Sequence, residues 1–98
     1  MNVHARNFNA LAIDGRDNVA VALEDLAQGT PVRVSREGRV DEIVARDAVP
    51  LGHKLALAAI AQGAPVVKYG EVIGVATAPI GCGAHVHVHN VASRRARS

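Results

Sequence analysis

Three imidazoles recur at alternate positions in His85-Val86-His87-Val88-His89-Asn90. In an extended strand, residues i, i+2 and i+4 share a face, so this segment predicts a row of histidines with Val86 and Val88 turned into the core. Neutral imidazoles move protons near neutral pH and hydrogen-bond hydroxyls and carboxylates. Two of them at i, i+2 can also converge on one divalent ion, with ring nitrogens about 2.0–2.1 Å from it. A third ligand is not evident, because the single cysteine, Cys82, lies just upstream on a turn. The expectation is therefore no metal site on this chain, with His85 and His87 as the pair a metal would use. The alternative is an exposed strand face that simply carries histidines.

Two further groups offer chemistry. Gly52-His53-Lys54 sets a His and a Lys beside a glycine that permits an unusual backbone angle. Together they could bind an anionic substrate group or move a proton; a polar turn with a solvated Lys is the plain alternative. In Lys68-Tyr69-Gly70-Glu71, Lys68 and Tyr69 are candidate substrate contacts, or Tyr69 is the largest rim residue available and Gly70 its turn. Cys82, between two glycines, reads as a turn thiol rather than a nucleophile. The phosphate-cradling, nucleophile-elbow and His-Glu-x-x-His motifs are absent from the sequence. No complete catalytic constellation can be assembled from these residues.

What must position them is a set of short strands. The pattern apolar-x-x-Gly-x-x-apolar occurs at Leu26–Val32, Val49–Leu55, Ile60–Val66 and Ile80–Val86. Its irregular spacing excludes a solenoid. Each copy predicts one device: an apolar residue, a short helical turn, a glycine with positive φ, then a strand. Between these turns, residues 18–23, 32–34, 40–46, 65–68 and 72–76 alternate or run apolar as strands do. Ser35-Arg36-Glu37-Gly38 and Tyr69-Gly70 read as hairpin turns, and Leu55–Ala61 as a strand end entering a single turn. The fold class expected is all-β.

Composition supports that reading and narrows the function. The chain has 98 residues, 49% of them hydrophobic, which suits one ordered domain. Ala and Val dominate, and Phe8 and Tyr69 are the only aromatics, so the core is built from small and β-branched pieces. No apolar run approaches the length of a membrane span, and no secretory signal is recognisable. The lone cysteine excludes an internal disulfide framework and fits a cytoplasmic setting. The net charge of +2 is local, because Arg94, Arg95 and Arg97 supply it. The rest is near neutral and lacks stacking aromatics, which argues against a nucleic-acid partner.

With those residues in view, a resemblance can be stated. Pro50–Leu57 with its Gly-His-Lys, Ile60–Gly63, Val67–Gly74 and Gly83-Ala-His-Val-His-Val-His-Asn90 resemble the SAF domain of the altronate–galactarate dehydratase family. Asp17–Leu26 looks like that domain's opening strand and turn. The resemblance covers about residues 9–91, leaving 1–8 as an N-terminal extension and 92–98 as a basic tail. It implies a β-clip fold and a small subunit of a hydro-lyase acting on a sugar acid or related 2-hydroxy acid. The small subunit of (2R)-sulfolactate sulfo-lyase, or a non-catalytic carbohydrate-binding module, are the alternatives. It further implies a larger catalytic partner subunit that carries a divalent metal, iron by expectation. Self-association into a homo-oligomer is compatible with it. Carried onto this sequence, His53, Lys54, His85 and His87 are candidate catalytic residues, and His89, Asn90, Lys68 and Tyr69 candidate substrate contacts.

Overall fold

A computed structural model describes residues 7–93. Nine strands follow in order: β1 (Ala10–Leu11), β2 (Val19–Ala22), β3 (Pro31–Arg36), β4 (Arg39–Val44), β5 (Lys54–Ala56), β6 (Pro65–Lys68), β7 (Glu71–Ala76), β8 (His85–Val86) and β9 (Val91–Ser93). Among the described residues there is no helix, and the architecture is all-β as expected. Six strands form one sheet in the order β4-β3-β1-β2-β5-β8; β6, β7 and β9 form a second. All pairings are antiparallel except β1 with β3. The Arg-rich end of the basic tail and most of the N-terminal extension lie outside the described residues, while β9 runs on through Ser93.

The glycine pattern explains how so many short strands join. Gly29, Gly52, Gly63 and Gly83 all take φ between 84° and 87° or, for Gly83, 83°. In each copy the residue after the glycine donates to the carbonyl three residues back: Thr30 to Ala27, His53 to Pro50, Ala64 to Ala61 and Ala84 to Gly81. A positive φ at the third residue of such a turn is the type II β-turn pattern. The expected helical turns are therefore β-turns, which reverse the chain in four residues. The apolar residue opening each copy is also paired: Leu26 bridges Val49, and Ile60 bridges Ile80. Glu37-Gly38 and Tyr69-Gly70 both have positive φ at two successive positions, the pattern of type I′ hairpin turns.

Small side chains give two thin cores rather than one thick one. Ala10, Ala20, Leu26, Val32, Val34, Val49 and Leu55 belong to the first. Val19, Ala56, Ile60, Val66, Ile80 and Val86 belong to the second. Leu55 and Ala56, adjacent in β5, face opposite sides and so tie the two together. Each fully buried Val or Leu contributes about 1.5–3 kcal/mol. Asp17, the one buried charged residue among those described, is 4% exposed. Its carboxylate accepts the backbone N–H groups of Ile13, Asp14 and Gly70, which joins the β1–β2 connection to the β6–β7 turn.

Candidate functional site

The histidine segment departs from expectation in one respect. Strand β8 ends at Val86, and residues 87–90 form a turn before β9. Val86 is buried as predicted, but Val88 is 82% exposed, not part of the core. The reason is local: Asn90 closes the segment on itself. Its Oδ1 accepts the His87 N–H at 2.9 Å and its Nδ2 donates to the His85 carbonyl at 2.9 Å. The Asn90 backbone N–H also donates to the His87 carbonyl. Both ends of the amide expected to contact substrate thus hold the backbone of the histidines.

The histidines nevertheless come together, and the turn before β5 adds one more. Lys54 and Leu55 of β5 pair with Val86 and His85 of β8, so His53 stands beside the start of β8. His53 Nδ1 and His85 Nε2 are 2.8 Å apart, a single N–H···N hydrogen bond. The His53 and His87 rings stack with centroids 4.0 Å apart and 15° between planes. His85 and His87 are 5.5 Å apart and nearly parallel. One ring nitrogen from each of His53, His85 and His87 can be chosen so that all lie within 4.8 Å of one another. His89 flanks the group, its ring tilted against His85 at 5.1 Å. The third ligand atom that was not evident from the local spacing is therefore a ring nitrogen of His53.

Electrostatics favour the neutral form of two of these rings, His85 and His87. Burial lowers the His85 pKa from 6.5, and neighbouring His89, His53 and His87 lower it further, while Asp47 pulls the other way. His87 is lowered by desolvation and then by His53, Lys54 and His89. Asp47 also accepts the His85 backbone N–H at 2.9 Å, a role no sequence signal marked. Next to the triad a pocket of about 300 Å³ is lined by Lys54, Lys68 and His87 with Ile73, Val88, Val91 and Ser93. Burial lowers the Lys54 pKa, and the like charge of Lys68 adds to the shift. Two ammonium groups and an imidazole around one concavity suit a small carboxylate. Tyr69 sits instead at the hairpin tip, with Lys68 Nζ 5.1 Å from its ring centroid. Cys82 is exposed and its thiol donates to the Leu57 carbonyl, as a turn residue would.

An all-β domain with paired glycine turns and a histidine–lysine concavity defines the class, a SAF-type domain. The family model for the altronate/galactarate dehydratase SAF domain matches residues 8–94, and the chain belongs to that family. It is 51% identical over 80 residues to altronate dehydratase of Escherichia coli, covering 82% of this chain and 15% of that protein. Against altronate dehydratase of Bacillus subtilis it is 40% identical over 80 residues, with the same coverage. Against (2R)-sulfolactate sulfo-lyase subunit alpha of Chromohalobacter salexigens it is 42% identical over 62 residues, covering 63% of this chain and 66% of that one. The chain spans less than a sixth of the two dehydratases it matches.

Proposed function

We propose that this chain forms one wall of the active site of a hydro-lyase for a sugar acid or related 2-hydroxy acid, the rest being supplied by a larger catalytic chain in the cytoplasm. The observation that carries this reading is the pocket in which Lys54, Lys68 and His87 meet. Eliminating water β to a carboxylate needs three things: charge to hold the carboxylate, a base for the α-proton and an acid for the departing hydroxyl. Lys54 and Lys68 serve the first. A neutral His87 or His85 serves as base, because burial and nearby basic groups hold its pKa low, and the imidazolium formed when it takes the α-proton can return that proton to the departing hydroxyl. The electron pair of the broken C–H bond forms the new double bond as the C–O bond breaks. In this reading the divalent ion of the reaction, iron by expectation, belongs to the larger chain.

A second reading has its own support. The chain spans about two-thirds of a sulfolactate sulfo-lyase subunit alpha, and the same residues would serve with sulfite as the leaving group. The test is reconstitution: the chain is combined with the large subunit and assayed on altronate, galactarate and (2R)-sulfolactate. Turnover of a sugar acid that requires both components supports the first reading, and turnover of sulfolactate alone the second. Robust turnover by the 98-residue chain without a partner would overturn the half-site.

A further inference from the structure

Three imidazoles from two separate chain segments, the turn before β5 and β8 with the turn after it, are more than an elimination half-site needs, and they point to an ion held by this chain itself. We infer that His53, His85 and His87 form a three-histidine site for a first-row divalent cation, with zinc(II) as the reference ion.

Geometry comes first. Ligand nitrogens at about 2.0–2.1 Å from a tetrahedral ion are about 3.3–3.4 Å from one another. The 2.8 Å His53–His85 separation and the 4.8 Å limit for all three bracket that distance, so small ring rotations bring the set into position. Backbone anchoring is already in place on both sides. His53 is fixed by the β-turn through its N–H to Pro50, and its carbonyl accepts from Ala22. His85 and His87 are fixed by Asp47 and Asn90.

A second observation concerns hydrogen bonding rather than distance. His87 Nδ1 is shielded from solvent and has no hydrogen-bond partner, alone among buried side-chain polar atoms of the described residues. An unpaired buried ring nitrogen is unfavourable, and ligation through His87 Nδ1 would give it a partner. For both facing nitrogens to bind an ion, the single proton between His53 and His85 moves to the far nitrogen of its own ring, so both imidazoles stay neutral. Three imidazoles without thiolate or carboxylate suit zinc, copper, nickel or iron rather than calcium or magnesium. Three protein ligands leave a position open, the arrangement of reactive rather than structural sites.

The site shares His85 and His87 with the proposed half-site, and it is tested without turnover. The isolated chain, stripped with EDTA, is titrated calorimetrically with Zn²⁺ and followed by visible absorption with Co²⁺. We expect one equivalent to bind and a tetrahedral Co²⁺ spectrum to appear. His53→Gln, His85→Gln and His87→Gln should each weaken binding at least 10-fold while circular dichroism shows the native fold, whereas His89→Gln and Cys82→Ser leave it within 3-fold. Absence of binding overturns the inference. So does binding that survives His53→Gln, since it would belong to the 85–89 segment alone. If a variant fails to fold, ring-proton NMR of the wild-type chain decides: Zn²⁺ must shift all three imidazoles together, and a shift confined to others refutes the site. A positive result with no activity on reconstitution removes the lyase reading only, and the reverse removes the ion only.

Discussion

His53 and His85 are 32 residues apart in sequence, yet their ring nitrogens stand 2.8 Å apart. The β5–β8 pairing, in which Lys54 faces Val86 and Leu55 faces His85, is what joins them. The candidate site is therefore a property of strand register. A change that shifts the register of either strand disperses the site.

Substitution at Lys54 tests the carboxylate pocket. In the reconstituted enzyme, Lys54→Gln should raise KM about 10-fold or more, because a charge-assisted hydrogen bond contributes about 1.5–3 kcal/mol. Saturation kinetics on the substrate identified by reconstitution measure it. An unchanged KM would place the carboxylate elsewhere.

Proton transfer is read at His87. His87→Gln retains size and hydrogen bonding, so Tm should stay near that of the parent, while kcat of the assembled enzyme falls about 100-fold or more. Melting and turnover are measured on the same preparation. A collapsed Tm would make the ring structural, and an unchanged kcat would remove it from the reaction.

Two glycines with the same backbone angle should respond differently. Gly29→Ala places a methyl in open space, so its cost is the left-handed conformation alone, about 1–2 kcal/mol. At Gly83 a Cβ would also overlap the Val44 carbonyl oxygen and sit 3.1 Å from the Arg46 nitrogen. Gly83→Ala should therefore cost about 1–3 kcal/mol more than Gly29→Ala. Urea midpoints of the two variants give the comparison, and equal midpoints would refute it.

Acid stability should follow Asp17. Burial pushes its carboxyl up, but the N–H groups of Gly70, Asp14, Ile13 and Tyr69 outweigh burial and hold the pKa below 3.8. A carboxyl with a depressed folded pKa stabilises the fold above its unfolded value and loses that contribution as pH falls through the folded one. Tm should thus decline below about pH 4. Asp17→Asn should flatten that acid limb and cost about 1–3 kcal/mol at neutral pH, having one acceptor oxygen where the N–H groups of several residues converge on two. A limb of undiminished slope in the variant would assign it to other carboxylates.

Local signals carried much of the fold and half of the site. Alternation marked strands β2, β3 and β4, and apolar runs on either side of Tyr69-Gly70 marked β6 and β7. Glycines before strands marked the four turns, because only glycine takes a positive φ without strain. The residue types of the site were equally legible, since His53, Lys54, Lys68, His85 and His87 stand out by chemistry. Periodicity misjudged residues 87–90, where a side-chain amide of Asn90 captured the backbone and turned a strand pattern into a loop with Val88 outward. Pairing was beyond any local pattern. Which glycine turn bridges which, and that β5 lies against β8, depend on closing loops of tens of residues around two shared cores. Residue type is written at each position, but the proximity that makes three separate imidazoles a site comes from hydrogen bonds and burial that exist only once the sheet has closed.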